Sequence, residues 1–262
     1  MIEDFWKDKY PAGIAADINP DEYPNIQAVL KQSCQRFANK PAFSNLGKTL
    51  TYGELYELSG AFAAYLQQHT DLQPGDRIAV QLPNVLQYPV AVFGAIRAGL
   101  IVVNTNPLYT AREMRHQFQD SGARALVYLN TFGHHVQEVL PDTAIEHLIE
   151  VRIGDMLPPL KGALVNAAVK HLKKMVPDYS LPQAVSFKDV LRDGARHSHK
   201  PAPLELDHVA VLQYTGGTTG VAKGAMLTHG NLVANMQQAR ACLGQFGSDG
   251  QPLLREGQEV MI

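Results

Sequence analysis

Apolar residues first settle into a clear rhythm at Ile26, Val29, Leu30, Cys34 and Phe37, a helical spacing that predicts an amphipathic helix. Pro41 to Leu50 predicts an extended pair turning near Asn45 and Gly47. Thr51 and Glu54 have capping-box spacing, so a second helix is predicted to begin at Thr51, with Leu55, Leu58, Phe62 and Leu66 on its apolar face. From Arg77 the pattern alternates. Apolar runs at Arg77 to Leu82, Leu100 to Val103, Ala125 to Leu129 and His147 to Ile153 predict strands. Helices are predicted between them at Val85 to Ala98, closed by Gly99, at Thr110 to Gly122, opened by a capping box with Glu113, and at His134 to Leu140. This βαβα order predicts an α/β fold, with mainly parallel sheets layered by helices.

The rhythm changes between Met156 and Pro182, where prolines bracket a basic helical segment. Within it, Lys161 to Val176 sets Leu164, Val165, Leu172 and Met175 on one face against Lys170, His171, Lys173 and Lys174 on the other. Most such helices cover the core of their own domain, and that is the expectation here; a peripheral membrane contact is the alternative. A capped helix follows at Ser186 to Arg192, then a surface linker at Asp193 to Pro203. No internal repeat is present, which removes solenoid folds.

Composition narrows this picture only slightly. A chain of 262 residues, 45% hydrophobic and 18% charged, has room for one large or two modest domains. The net charge of -2 gives no overall attraction to nucleic acid or anionic lipid, so no nucleic-acid partner is expected. Cys34 and Cys242 lie far apart with no metal-ligand spacing, which fits a reduced, cytoplasmic setting. Met1 to Tyr10 lacks the apolar run of a secretory signal, and no stretch approaches the roughly 18 apolar residues of a membrane span.

The chemistry is concentrated after residue 205. His208 to Tyr214 reads as a buried strand, and it runs into Thr215-Gly216-Gly217-Thr218-Thr219-Gly220-Val221-Ala222-Lys223-Gly224. Glycine permits positive φ and close approach of backbone N–H groups to an anion. Threonine hydroxyls add donors or a ligand for Mg²⁺, and Lys223 adds a mobile positive charge, so the segment predicts a cradle for a polyphosphate. Lys223 is preceded by Ala222 and followed by Gly224, which excludes a Walker A loop, and GxGxxG is also absent. Ala225 to Leu227 is predicted extended, with a helix from about Asn231.

The stretch Tyr214 to Leu232, YTGGTTGVAKGAMLTHGNL, resembles the phosphate-loop motif of the adenylate-forming enzymes, which include acyl-CoA synthetases, luciferases and peptide-synthetase adenylation domains. Gly216 in place of the commoner serine, together with Pro83 to Ala123, WKDKYPAGIAADINPDEYPN and LTYGEL, is similar to bacterial long-chain fatty-acid CoA ligases. The resemblance covers nearly the whole chain. It implies activation of a fatty acid by ATP to an acyl-adenylate, then thioester formation with CoA, with Mg²⁺ as cofactor. It implies that Tyr214 to Ala225 hold the nucleotide, with Thr215, Gly216, Gly217, Thr218, Thr219, Gly220 and Lys223 on the β- and γ-phosphates and Thr215 near the metal. Thr215, Lys223 and His229 are the candidate catalytic residues; His229 matches a family histidine near the substrate, and a hydrogen-bonded histidine at a helix start is an equal reading. Residues 1–205 are expected as a first α/β subdomain of a large N-terminal domain and 206–262 as the start of a second. The family's later motifs and C-terminal domain lie beyond Ile262, and Gln258 to Ile262 reads as an unfinished strand. The expectation is an N-terminal portion of a cytoplasmic ligase, without turnover by itself, with contact at the inner face of the cell membrane as the alternative noted above. Two rival functions remain open at this point: an adenylating ligase for a medium-chain, aromatic or amino acid, and a non-catalytic nucleotide-binding module.

Overall fold

The computed structural model describes residues 10, 17–216 and 222–243. The first helix, α1 (Ile26–Arg36), is capped by the Asn25 side chain and leads into a hairpin, β1 (Pro41–Asn45) and β2 (Lys48–Thr51). Its turn places Leu46 and Gly47 at positive φ. The long helix α2 (Tyr52–His69) starts where its capping box predicts, with Thr51 Oγ1 accepting from Glu54 N and the Glu54 carboxylate accepting from Thr51 N.

The parallel strands are β3 (Arg77–Gln81), β4 (Ile101–Asn104), β5 (Ala125–Leu129), β6 (His147–Val151) and the short β7 (Val185–Ser186). Between them run α3 (Gln87–Ala98), α4 (Ala111–Ser121), α5 (Gly133–Val139) and α6 (Pro159–Ala167), the last continued by a π-helical segment, Ala168–Leu172. After α7 (Phe187–Gly194) come β8 (Val209–Thr215), β9 (Lys223–Thr228) and α8 (His229–Leu243). One seven-stranded sheet has the order β7-β6-β5-β3-β4-β8-β9, parallel except for the β8–β9 pair. The strand that opens segment 206–262 therefore lies in the same sheet, beside β4.

Strands β3, β4, β5 and β6 are largely buried on both faces, yet their side chains still divide by a period of two. Ile78, Val80, Val102, Ala125 and Val127 face a core shared with α2, α3 and α7, whereas Ala79, Val103, Leu126 and Tyr128 face a second core with Met114 and Phe118 of α4 and Val136 of α5. Three layers result. Gly99 and Gly122 end α3 and α4 in the left-handed conformation, as their positions predict.

Two expectations change. The surface linker expected at Asp193 to Pro203 begins within the end of α7 and is tied down: Lys200 and Gln67 exchange hydrogen bonds of 2.9 and 2.8 Å, and Ala202 packs against Gly99. This strap also covers Arg97, which is 4% exposed and contacts the Tyr56 ring, Ser59 Oγ and His199 Nε2. The basic segment after Pro158 does form a helix, but its leucines face outward. Gly162 is the residue buried in α6, because the backbone of Gly154 crosses there with no space for a Cβ.

Candidate functional site

In an open parallel sheet, ligands bind at the carboxyl ends of the strands, where successive connections leave for opposite faces. The connection after β3 enters the α3 layer, and that after β4 enters the α4 layer. The crevice therefore opens at Gln81, Asn104 and Thr215, the edge at which β8 ends.

Two cavities lie along this edge. The smaller, of 240 Å³, is floored by a polar relay: Tyr88 OH donates to Asn104 Oδ1 at 2.8 Å, and Asn104 Nδ2 donates to Gln213 Oε1 at 3.0 Å. The larger, of 840 Å³, lies between Tyr109, Thr110, His116 and Gln117 on the α4 side and Gly216 and Ala222 on the loop side. Gln117 donates to Asn104 O at 2.8 Å, while its buried Oε1 has no partner among the described residues. That atom suits a hydrogen-bond donor on a ligand, not a phosphate.

The β8–β9 hairpin brings Thr215 and Lys223 together as its last cross-strand pair. Both are exposed, and Lys223 has no ion pair among the described residues. A hydroxyl and an ammonium thus flank the entry and exit of the loop. Gly217, Thr218, Thr219, Gly220 and Val221 lie outside the described residues. Gly216 has open space where a Cβ would be, and neither it nor Gly224 adopts positive φ. Gly224 is needed for another reason: it is the register partner of Tyr214, whose ring lies 2.9 Å from where a Cβ would stand. Ala225 is exposed on β9, beyond this pair.

Helix α4 holds both roots of the loop. Tyr214 OH donates to Asp120 Oδ2 at 2.5 Å, and burial, reinforced by that carboxylate, pushes the phenol pKa up. On the other side, His116 Nε2–H donates to the Ala222 carbonyl at 3.0 Å, which fixes its tautomer. His116 and Asp120 are four residues apart on one helical face, and that spacing is the only sequence signal that could have singled them out.

His229 stands apart from this group. It follows the far end of β9, roughly 20 Å from Lys223 for a six-residue strand. Its backbone N–H donates to His208 O at 2.9 Å, its Nδ1 accepts from Ile26 N at 3.5 Å, and the residue is 2% exposed. Burial, with a smaller contribution from His208, lowers its pKa to about 4, so the ring is neutral. Helix α8 begins here, not at Asn231, because Thr228 and Asn231 cap each other reciprocally at 3.1 and 3.0 Å. Of the three candidate catalytic residues, the fold gathers Thr215 and Lys223 and puts His229 at a helix start.

A family model described as AMP-binding enzyme matches residues 30–254. The chain belongs to the AMP-binding enzymes. It is 50% identical over 98% of its length to a long-chain-fatty-acid–CoA ligase of Escherichia coli O157:H7, and 48% identical over 100% to one of Yersinia pestis, spanning 45% of each. Among solved structures, a long-chain-fatty-acid-CoA ligase from Archaeoglobus fulgidus superposes with a TM-score of 0.69 at 23% identity, over 91% of this chain and 43% of that one. That likeness establishes the shared α/β fold. This AMP-binding chain thus spans just under half the length of the ligases it matches.

Proposed function

We propose that this chain carries the phosphate-binding part of an ATP-dependent ligase that converts long-chain fatty acids to acyl-CoA through an acyl-adenylate. The carrying observation is the Thr215–Lys223 pair at the carboxyl edge of the sheet, at the two ends of a threonine- and glycine-rich loop. The 50% identity to a long-chain-fatty-acid–CoA ligase supports the substrate class. In this reading the segment from Tyr214 to Ala225 orients the triphosphate, Lys223 offsets charge that develops during adenylation, and α4 holds the loop roots still through Asp120 and His116.

Mg²⁺ fits Thr215 as a sparse site. The acidic and histidine groups that could gather a cation among the described residues, Asp71–Glu146–His147 and Glu205–Asp207–His208, lie before or at the starts of strands β3, β6 and β8 and so at the opposite edge of the sheet. A metal near Thr215 would draw on one hydroxyl, with phosphate oxygens and water completing its shell, as Mg²⁺ commonly does. When bound it supplies charge neutralisation to the phosphates.

We also propose CoA as co-substrate, a cytoplasmic setting, and a peripheral membrane contact through Lys161 to Val176. Among the described residues no helix is long and apolar enough to cross a membrane. The division after residue 205 belongs to the same proposal, with β8 as the strand that ties a second subdomain to the first sheet.

Thioester formation from ATP, CoA and palmitate by the full-length enzyme tests the reading. Replacing Thr218, Thr219 and Lys223 together by alanine should reduce adenylation at least about 100-fold. An undiminished rate would sink the proposal. The 262-residue chain alone should give no turnover.

A further inference from the structure

We propose that the strap from Ala195 to Pro203 is a proton-operated latch, in which a proton taken up by His199 releases the strap from Arg97 and frees the lead into β8. The inference does not depend on the ligase reading. Both ends of the strap are fixed. Where it leaves α7, Gly194 packs on Ala61 O of α2 with no space for a Cβ. Where it approaches β8, Leu204 O accepts from Asn25 Nδ2 at 2.8 Å. Between these anchors the strap is held by side chains.

The central hold is a buried cation that no carboxylate faces. Arg97 is 4% exposed, and the charged and polar groups that act on it are the Tyr56 phenol and the Cys34 thiol. Its guanidinium donates to Tyr56 O and, at 2.8 Å, to Ser59 Oγ, and it lies 4.0 Å from the centre of the Tyr56 ring. The remaining partner is His199 Nε2, at 3.2 Å from Nη2. Arginine only donates, so Nε2 must accept, and the His199 ring is neutral with its proton on Nδ1. A proton on Nε2 would turn the acceptor into a donor and set a second positive charge beside the first, with no anion between them. Burial raises the Cys34 thiol pKa, with Arg97 partly offsetting it, so the thiol stays neutral and supplies no such anion.

The other holds lack this sensitivity. Lys200 and Gln67 exchange hydrogen bonds between amide groups, and Ala202 packs on Gly99. His197 meets His69 with ring centroids 5.6 Å apart, and His69 stacks on Tyr65 at 4.8 Å. That contact has a carboxylate close by. Asp193 is held below its usual range by Arg192 first, and also by Arg196 and His69. Positive charge is thus offset beside His69 and is not offset beside Arg97. The strap's own cations, Arg196 and Lys200, are exposed.

Burial and then Arg97 hold the His199 pKa below its ordinary value of 6.5. With the strap open, the ring titrates near that ordinary value. The open form therefore binds more protons, so closure is complete above pH 6.5 and is lost as pH falls through the window beneath. One histidine changes the opening equilibrium by at most about tenfold per pH unit. The strap leads into β8, which ends at Thr215, so acid would act on the strand that carries the loop without titrating the loop.

Hydrogen exchange of the full-length protein, with intrinsic rates corrected for pH, reads the opening as protection of residues 195–203. The Lys200 N–H, which donates to Gln67 Oε1, is the reporter. Between about pH 7.5 and 5.5 its protection should fall about tenfold, while protection of α4 and β5 changes by less than about twofold. His199→Gln keeps an acceptor for Arg97 and takes up no proton, so its protection should stay level within about twofold. His197→Gln should fall as the wild type does. Level protection in the wild type overturns the proposal, as does an equal fall in His199→Gln. So does a fall of the same size in α4 and β5, because the whole sheet then opens and not the strap. Exchange is measured without substrates, so none of these outcomes bears on the ligase reading.

Discussion

The two ends of the β8–β9 hairpin are built in opposite ways. At one end Thr215 and Lys223 are exposed and bracket the loop. At the other, His229 is buried, His208 and Ile26 hydrogen-bond it, and Gly230 N donates to Leu206 O at 2.7 Å. One end offers chemistry to solvent and the other anchors it to α1. A motif of nineteen consecutive residues in the sequence therefore splits into a tip and a root. The lesson is that a histidine inside a functional motif can belong to the root.

The comparison predicts that tip substitutions move activity and root substitutions move stability. The largest effect should follow Lys223→Ala in the full-length enzyme, a loss of about 100-fold or more in adenylation, with the unfolding midpoint unchanged. A comparable fall in unfolding free energy would erase the distinction. Next comes acid. His229 is neutral when folded and has a pKa lowered to about 4, so the unfolded chain binds the extra proton between pH 6.5 and 4. Stability should therefore fall as pH drops through that window, by up to about 3 kcal/mol relative to a His229→Gln variant. Asp71, held down to about 2 by His147 and Arg124, loses its contribution only below the window. Parallel curves for wild type and variant in urea melts would show that the buried ring does not set the acid limit of the fold.

Smaller effects sharpen the boundary between root and tip. Tyr214→Phe removes the hydrogen bond to Asp120 and should cost about 1.5 kcal/mol or less, given how exposed Asp120 is. It should also raise KM for ATP more than it lowers kcat, because it loosens a loop root without touching the reacting atoms. Thr228→Ala takes away the reciprocal cap of α8 and should cost about 1 kcal/mol with activity preserved.

Local signals in the sequence were reliable wherever one short contact decides the structure. Both capping boxes, at Thr51 and Thr110, form with the predicted glutamates, and Gly99 and Gly122 sit where left-handed caps are needed. The start of α8 was read two residues late because Asn231 takes the role that Glu or Gln fills in a capping box. Non-local features were out of reach. Nothing near Tyr214 reveals that its hydroxyl finds Asp120, 94 residues away, or that its ring stands beside Gly224 where a Cβ would be. Nor does the surface linker from Asp193 to Pro203 reveal its partners, since Gln67 and Arg97 lie in earlier helices. The outward leucines of α6 were out of reach likewise, since the side that packs inward is set by Gly162 against the backbone of Gly154.

Where α6 crosses its neighbour, Gly154 and Gly162 meet main chain to main chain, and an added Cβ on either would come within 2.4 Å of a carbonyl oxygen. The contact sets the height of everything above it. Even a single methyl group would have to lever the helix away from the sheet, so these two positions act as a spacer of zero thickness beneath the leucines.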